Sequence, residues 1–557
     1  MLRWLLGALL VLDVAPVIAA QSQPLVQLEG QPYFGGSMKL SLSASGSTGL
    51  PALVIYGLGP LVTPVQTAKG DWYIEELVNL VAIGTIPAGG RIDLLFTMPP
   101  IVSAFVGIPI VAQAYVPVQL SNPVTLPLDI PYFTGSADDV FAAPVPLQQA
   151  QFGDRLAVSD VNGDGAADLV VTAPTAEFAG VTQAGIVYVF WGPQHNSPPQ
   201  ELTSPSPLPA GLFGTSILIA DLDGDGEDDM VLGEGCGGNP PLAQPGHLYI
   251  YYGGQAFLPT PSVTLESVGA GAPFSQFGRS MAAGDFNGDA NLDVAVGVDK
   301  ATDGTLASAG RIDVYWGPGF SSVLPVWSPD AQANDFFGSQ LAVGDINGDG
   351  IDDLLESSGR EDVGQVVNQG RAHLFVGPAL APYVTLENPL PAGFNSRFGT
   401  DIASSDLNGD GRADVVISDS KSHAYVFWAP QFADYQVIHR PLDPYGGLLS
   451  GSFGYYLDIG DANGDGLDDI AITDEFAGDP GCTLTGGGLV FIALAPYFET
   501  FLTIGEIPNE CGAEFGSSVS LADIDSDAKC DLLVGSVFAD QGVVGNAGRV
   551  SVWLGSP

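Results

Sequence analysis

Basic side chains are scarce in this chain of 557 residues, which has 16 Lys and Arg against 63 Asp and Glu and a formal net charge of −47. Nucleic acids and anionic membranes are bound through clustered cations, so this composition disfavours both partners. Long apolar runs are also lacking beyond residue 20, where none approaches the ~18 residues that a membrane-spanning helix requires. We therefore predict a chain that binds no nucleic acid and does not insert into a membrane.

Catalytic signatures are lacking as well. The sequence has no Gly-x-Ser-x-Gly, His-Glu-x-x-His or Cys-x-x-Cys motif. Its five histidines are scattered and are expected to be ordinary surface or strand residues: His195, His247, His373, His423 and His439. A carboxylate pair for glycoside hydrolysis stays open among so many acids. Because no catalytic constellation is visible, we predict that the chain is not an enzyme.

Cysteines are few, and the N-terminus indicates the compartment in which they are found. Residues 1–20 have Arg3, an apolar run and small residues ending at Ala20, as in a secretory signal peptide. We expect a secreted or cell-surface protein, in which four cysteines permit two disulfides. Cys482 and Cys511 are the expected pair, whereas Cys236 and Cys530 cannot be paired from the sequence.

Acidic loops of nine residues recur along the chain, and the first runs from Asp160 to Asp168 with the sequence DVNGDGAAD. Seven copies begin 55 to 64 residues apart, at Asp160, Asp221, Asp285, Asp345, Asp406, Asp461 and Asp523. A Phe-Gly pair precedes each copy, as in Phe152-Gly153. A unit recurring at this spacing indicates a repeat architecture.

The repeats have the pattern of four short strands, three in the last repeat, separated by the turns of a chain with 73 Gly and 43 Pro. Seven such units are typical of a seven-bladed β-propeller, whose radial closure leaves only short sheet edges. We assign the propeller to residues 133–557. The seventh repeat lacks a fourth strand, and we expect the segment Val140–Pro146 to complete that blade. Residues 21–132 lack the acidic loops and are expected to form a small β-sandwich-like domain.

The order of these motifs resembles a known repeat. Phe-Gly, then Asp-x-Asn-x-Asp-Gly-x-x-Asp, then a Gly-Ala-Pro-like end to the second strand is similar to the FG-GAP repeat of integrin α-subunit propellers and many bacterial surface proteins. The Gly-Ala-Pro part is nearly lost here, since Thr172-Ala173-Pro174 only approximates it. The resemblance implies an all-β, integrin-α-like propeller over roughly Phe133–Pro557.

The acidic loops offer oxygen ligands at alternate positions, which suits Ca²⁺ with its about six to eight oxygen ligands. Positions one, three, five and nine supply side chains, and position seven supplies a carbonyl, as at Ala166. We predict up to seven calcium ions with a structural role, bound by Asp160, Asn162, Asp164, Ala166 and Asp168; Asp221, Asp223, Asp225 and Asp229; Asp285, Asn287, Asp289 and Asp293; Asp345, Asn347, Asp349 and Asp353; Asp406, Asn408, Asp410 and Asp414; Asp461, Asn463, Asp465 and Asp469; Asp523, Asp525, Asp527 and Asp531.

Two other interpretations of the loops are weaker. A helix–loop–helix calcium site requires Glu at position twelve, which only Glu356 satisfies. A solvated turn without metal is hard to reconcile with seven copies in register. Ala290 and Ala528 replace the Gly at position six, where a positive φ costs roughly 1–2 kcal/mol, so loops three and seven should bind calcium most weakly. The Asp doublets at 228–229, 352–353 and 468–469 are interpreted as a ligand and a solvated neighbour.

Function is expected on the face opposite the acidic turns, which integrin propellers also use. Variable loops on a rigid scaffold usually carry binding, and here they are Glu177–Ala184, Glu234–Pro245, Val298–Ala309, Ser358–Gln369 and Glu475–Gly487. We predict a monomeric adhesion or ligand-binding module for a protein or glycan. The alternatives are an accessory propeller of an exported hydrolase acting on lipid or polysaccharide, and a structural part of a surface layer. The aromatic residues Trp191, Tyr252, Trp316 and Trp428 are expected in the core, not on a carbohydrate platform.

Overall fold

The computed structural model describes residues 137–555 and seven strands nearer the N-terminus. Within 137–555 the description leaves out residues 196, 236–245, 255–256, 268–275, 391–395, 420, 442–451, 478–486 and 506–511. The chain divides into two compact units, Met1–Asp129 and Ile130–Pro557. In the described part no helix is long and apolar enough to span a membrane.

The first unit contains seven described strands, and all of its pairings are antiparallel. The first, second and seventh strands form one sheet, the third pairs with the sixth, and the fourth with the fifth. Its β-sandwich arrangement stays a prediction. The strands are Leu25–Glu29, Ser37–Ser43, Pro51–Tyr56, Val65–Thr67, Gly70–Trp72, Leu80–Thr85 and Arg91–Thr97.

The second unit consists of seven antiparallel four-stranded sheets, which confirms the seven-bladed β-propeller. We number the blades and loops 1 to 7 in the order of the acidic loops. The inner strands are Leu156–Ser159, Phe213–Ala220, Met281–Gly284, Gln340–Gly344, Ile402–Ser405, Leu457–Gly460 and Phe515–Ala522. The second strands are Asp168–Ala173, Asp229–Glu234, Asp293–Gly297, Asp353–Ser358, Asp414–Ser418, Asp469–Asp474 and Asp531–Ser536.

The remaining strands lie towards the rim. The third strands are Ile186–Phe190, His247–Tyr251, Ile312–Tyr315, Arg371–Val376, His423–Phe427, Leu489–Leu494 and Arg549–Trp553. The outer strands of blades 1 to 6 are Gln200–Leu202, Val263–Glu266, Val323–Val326, Ala381–Glu387, Tyr435–His439 and Thr500–Ile504. The outer strand of blade 7 is Asp139–Phe141, which pairs with Arg549–Trp553. The last blade is therefore completed from the segment where the sequence placed its missing strand.

The core lies between the blades, because the second strands are buried on both of their faces. Each Phe-Gly phenylalanine is at most 1% exposed. Its ring contacts an aromatic or imidazole ring of the third strand in the same blade, as Phe152 does with Tyr188 and Phe515 with Trp553. Neighbouring inner strands contact one another round the whole ring. The Phe-Gly pair therefore anchors the inner edge of each blade to its third strand.

Serine hydroxyls add hydrogen bonds between blades. Ser280 Oγ donates to the carbonyl of Gly338 in the next blade at 2.7 Å, and Ser518 Oγ of blade 7 donates to Gly153 of blade 1 at the same distance. The Gly153 bond closes the ring a second time, between the inner strand of blade 7 and blade 1. The strands that precede the acidic loops are thus held in a fixed circle.

Candidate metal centres in the acidic loops

The aspartate at position one organises each acidic loop around its own carboxylate. In loop 4, Asp345 accepts the N–H groups of Gly348 at 2.6 Å, Asp349 at 3.2 Å and Gly350 at 2.8 Å. Every other loop repeats the bonds from positions five and six. The aspartate at position five accepts the N–H of position seven, as Asp349 does from Ile351 at 3.0 Å. The chain thereby wraps around the oxygens of positions one and five.

A backbone with positive φ is required at two positions of the wrap. Position six has φ values of 83–91° where it is Gly, and Ala290 and Ala528 adopt 66° and 67°. The expected left-handed alanines are therefore confirmed. Position four is also left-handed in every loop, and in loop 7 it is Ser526 with φ 63°. Sequence reasoning missed this second strained residue, so loop 7 has two non-glycine residues at positive φ.

The aspartate at position nine is a buried cross-link as well as a candidate ligand. In every blade one carboxylate oxygen accepts the N–H of a residue one or two positions after the third strand, at 2.7–2.9 Å, for example from Gly377 to Asp353. In loops 2, 3, 4 and 7 the other oxygen also accepts the N–H of position two. These seven aspartates are at most 1% exposed. The acidic loop is therefore tied to the turn between the third and outer strands.

Burial dominates the electrostatics of position nine. It raises the pKa of Asp168, Asp229, Asp293, Asp353, Asp414 and Asp531 to about 6 and that of Asp469 to about 7. Nearby loop carboxylates raise these pKa values further, whereas the donated N–H groups lower them. A cation in the loop would favour the ionised form of the same carboxylates.

The donor set fits a hard divalent cation. In loop 2, oxygens of Asp221, Asp223 and Asp225 lie within 4.8 Å of one another, as do those of Asp523, Asp525 and Asp531 in loop 7. Three carboxylates so close repel one another unless a cation or protons lie among them. In the other five loops position three is Asn, whose amide donates to the position-nine carboxylate, as Asn408 does to Asp414 at 2.9 Å. Three of the predicted ligand residues are therefore clustered in loops 2 and 7, whereas in the other five loops positions three and nine are joined by a hydrogen bond.

The neighbouring aspartate at position eight is half-buried and hydrogen-bonded to another blade, a role that the sequence interpretation of a solvated neighbour did not include. Asp352 Oδ2 accepts the N–H of Asp285 in loop 3 at 2.8 Å. Asp228 Oδ2 accepts a hydrogen bond from Ser159 Oγ, and Asp468 Oδ2 accepts one from Ser405 Oγ. All three contacts reach the preceding blade. The sequence offered one signal, since the Asp doublets occur only in loops 2, 4 and 6.

The loop geometry and the Phe-Gly anchor together define a known repeat. The FG-GAP repeat model matches residues 152–190, 277–315 and 337–375, and the FG-GAP-like repeat model matches residues 406–472. The matched stretches of this chain are FG-GAP repeats. Within the FG-GAP ring of seven blades, these matched stretches contain the whole of acidic loops 1, 3, 4, 5 and 6.

Curated relatives match parts of this chain. Phosphatidylinositol-glycan-specific phospholipase D of Homo sapiens is 28% identical over 184 residues, which are 31% of this chain and 21% of that protein. Integrin alpha-5 of Xenopus laevis is 30% identical over 217 residues, which are 38% of this chain and 20% of that protein. Integrin alpha-IIb of Mus musculus is 36% identical over 138 residues, covering 22% and 13%. The chain thus matches about a fifth or less of each relative's length.

Opposite the acidic loops, the connections between second and third strands are more regular than their sequences indicated. In blades 1, 3, 4 and 7 each forms a small hairpin, closed by the bridges Phe178–Val181, Asp303–Leu306, Val363–Val366 and Gln541–Val544. The end of each hairpin accepts the N–H of the next Phe-Gly phenylalanine, as Ala309 does from Phe337 at 3.0 Å. The hairpin bases are therefore structural, and their tips remain exposed to solvent.

The aromatic residues after the third strands pack against the core, as predicted. Trp191, Tyr252, Trp316 and Trp428 are partly buried and contact hydrophobic clusters. Sequence reasoning missed a different set of apolar residues. The turn that follows has a cis Gly-Pro or Ala-Pro bond in blades 1, 3, 4, 5 and 6. Phe320, Leu380, Phe432 and Phe498 come two residues after these prolines, at positive φ, and are at most 5% exposed.

Four of the five histidines are strand residues, and three of them lie next to carboxylates. His373 is 1% exposed, and its Nε2 lies 2.9 Å from Glu361 Oε2. His423 Nδ1 lies 2.8 Å from Asp419 Oδ2, and its ring faces His439 at 5.1 Å between centroids. The predicted strand location is confirmed, whereas the buried acidic partners were not anticipated. Cys530 is a free thiol, and the predicted Cys482–Cys511 pair lies outside the described residues, as does Cys236.

Proposed function

We propose that the FG-GAP ring is an exported, calcium-stabilised, monomeric binding module that engages a protein or glycan through the face opposite the acidic loops. The observation that carries the proposal is that the two faces of the ring are built differently. All seven acidic loops are internally bonded, and loops 2 and 7 have three carboxylates close enough together to hold one cation. The opposite face has hairpins with fixed bases and free tips.

Apolar side chains at the tips support a binding role for that face. Val543 is fully exposed at the tip of the hairpin in blade 7, and Val367 in blade 4 is 41% exposed. Phe476, after the second strand of blade 6, is 39% exposed. Exposed apolar side chains that share one face are typical of interaction surfaces. The formal net charge of −47 favours a neutral or basic ligand over an anionic one.

The test is binding of the intact chain to protein and glycan arrays, with calcium and with chelator. Val543→Asp and Phe476→Asp should abolish capture, because a charge at an apolar contact must be desolvated without a partner. Leu258→Asp is the matched control, since Leu258 is 62% exposed but lies between the third and outer strands of blade 2, on the acidic face. Capture that Leu258→Asp abolishes and the tip variants preserve would contradict the choice of face.

A second candidate is favoured by the similarity to phosphatidylinositol-glycan-specific phospholipase D. In that case the ring is an accessory domain of an exported hydrolase acting on lipid or polysaccharide. The intact chain should then bind vesicles that contain glycosylated phosphatidylinositol without cleaving them. Release of the glycan by the chain itself would overturn the non-enzymatic proposal.

A further inference from the structure

The acidic loops are linked to one another across blade boundaries, and the link alternates around the ring. Position eight is Asp in loops 2, 4 and 6, but Ala167, Leu292, Ala413 and Cys530 in loops 1, 3, 5 and 7. Each of the three aspartates contacts the preceding, odd-numbered blade. Among the described residues, a position-eight carboxylate therefore bridges the boundaries 1–2, 3–4 and 5–6, whereas the position-eight residue of loops 1, 3, 5 and 7 offers no carboxylate.

The position-eight carboxylate contacts either the position-one residue of the preceding loop, which is the first candidate ligand there, or the residue directly before it. At boundary 3–4, Asp352 Oδ2 accepts the N–H of Asp285 at 2.8 Å, and the N–H of Asp352 donates to the carbonyl of Asp285 at 3.2 Å. Both backbone groups of a position-one residue are thus held by the next blade. At boundaries 1–2 and 5–6, the bridge is made by Ser159 and Ser405, the residues directly before Asp160 and Asp406.

Glycine makes room for this contact at boundary 3–4. A Cβ on Gly284, directly before Asp285, would lie 3.0 Å from Asp352 Cβ and from Asp352 Oδ2. Asp352 itself is half-buried and belongs to loop 4, where Asp353 is the candidate ligand at position nine. The same short segment therefore contributes to two loops.

We propose that Asp352 is a positioning residue for the cation in loop 3, so that the metal sites of loops 3 and 4 are coupled as a pair. The proposal rests on calcium binding by the loops, as proposed above. A cation that fixes loop 4 also fixes Asp352, which then holds the backbone of Asp285 in its ligating position. Coupling between two binding sites is reciprocal, so occupation of loop 3 equally favours loop 4. Asp228 and Asp468 link loops 1–2 and 5–6 in a related way, through the hydroxyl of the serine directly before position one.

The test is calorimetric titration of the chelated, intact chain with calcium. Asp352→Ala should weaken the calcium affinity of loop 3 by about tenfold, as expected when a hydrogen bond to a charged group is lost. That weakening should vanish in an Asp289→Ala background, where loop 3 already lacks a ligand. Asp352→Asn should retain most of the affinity, because its amide oxygen still accepts the N–H of Asp285. A merely structural role would not produce this dependence on loop 3.

The matched control is boundary 2–3, where position eight is Leu292. A double-mutant cycle of Asp225→Ala with Leu292→Ala should show no coupling in calcium affinity, whereas the cycle of Asp289→Ala with Asp352→Ala should show it. Equal coupling in both cycles, or equal losses in Asp352→Asn and Asp352→Ala, would overturn the proposal. Calcium binding with unchanged affinities in Asp352→Ala would overturn only this inference. No calcium uptake by the wild-type chain would overturn the calcium proposal as well.

Discussion

The two faces of the ring solve the same problem, a turn between adjacent strands, in different ways. On the acidic face, the turn from first to second strand directs its hydrogen bonds inward, to the carboxylates at positions one, five and nine. On the opposite face, the hairpins of blades 1, 3, 4 and 7 direct the bonds at their bases to the next Phe-Gly. The first arrangement constrains the residue type at most positions of the turn, whereas the second constrains the base of the hairpin and leaves the residues at its tip free to vary.

This difference between the two faces indicates which properties belong to each face. Charge and candidate cation ligands belong to the face whose turns are constrained throughout. Freedom to vary belongs to the face whose turns are constrained only at their bases. The predictions that follow perturb one face and leave the other as the reference.

Removal of calcium should have the largest effect, and it acts on the acidic face alone. Each occupied site adds about 2.7 kcal/mol at a free calcium concentration of 100 times its Kd. We expect calcium to raise the Tm of the chelated chain by about 10 °C or more, measured by scanning calorimetry. An unchanged Tm in chelator would contradict the proposed role of the loops. Magnesium at the same concentration is the control for ionic strength.

Within one acidic loop, the buried and exposed aspartates should differ. Without calcium, Asp414→Ala should lower the free energy of unfolding by about 2–4 kcal/mol, because it leaves the N–H of Ala429 without its acceptor. Asp410→Ala, at the exposed position five, should cost under about 1 kcal/mol there. Urea unfolding measures both, and equal costs would refute the cross-linking role of position nine.

With calcium present, Asp410→Ala should loosen blade 5 because it removes a ligand. Asp527→Ala should matter less, since Ser526 and Ala528 already strain loop 7. Hydrogen exchange of the second strand in each blade reports the loosening. A larger effect of Asp527→Ala would contradict the ranking of the loops.

The opposite end of blade 4 should show a pH dependence through Glu356. Burial raises the pKa of this carboxyl to about 7, while the adjacent His373, Ser358 Oγ and the Gly338 N–H lower it and Glu361 raises it. The folded chain therefore holds the proton more tightly than the unfolded chain does. The stability that this provides is complete below about pH 4.5 and is lost as the pH rises through about 7.

Glu356→Gln should remove this dependence. We expect its Tm to match that of the wild type near pH 4.5 and to exceed it by a few degrees near pH 8. Glu499→Gln, at an exposed position, is the control and should follow the wild type at both pH values. A constant difference between Glu356→Gln and wild type across the range would argue against titration of Glu356.

The smallest expected effect is relief of backbone strain in loop 7. Ala528→Gly should stabilise the chain by about 0.5 kcal/mol, since relief of the strained φ outweighs the greater flexibility of Gly in the unfolded chain. Ala166→Gly, at position seven of loop 1, is the matched control and should be mildly destabilising. Denaturant titration of the two variants gives the comparison, and a destabilised Ala528→Gly variant would speak against the strain.

Much of the fold could be predicted because the same motifs recur in all seven repeats. One Phe-Gly pair or one acidic nonapeptide is a weak signal, but seven copies in order indicate blades, and apolar third strands such as Ile186–Phe190 were located within a residue or two. The segment that completes blade 7 followed from counting strands. The left-handed backbone at position six could also be predicted, because the sharp turn requires a positive φ whatever the surroundings.

Other features could not be predicted because they depend on residues far apart in the chain. Asp228, Asp352 and Asp468 looked solvated, because their partners lie in the preceding blade. His373 looked ordinary, because nothing in the sequence shows that the chain brings Glu361 to its ring. The hairpins looked variable, because their common conformation is set by backbone bonds to the next Phe-Gly and not by side chains.

The sequence by itself determined the number of blades, the loop positions with candidate ligands and the strained alanines, since all of these are local and repeat in register. Only the tertiary structure decided which carboxylates are cross-links, which loops share a bridge and which side chains reach solvent at the hairpin tips. The physical reason is closure of the ring. Closure places the end of each blade's first strand against the acidic loop of the next blade, and no local pattern of residues records which side chains meet there.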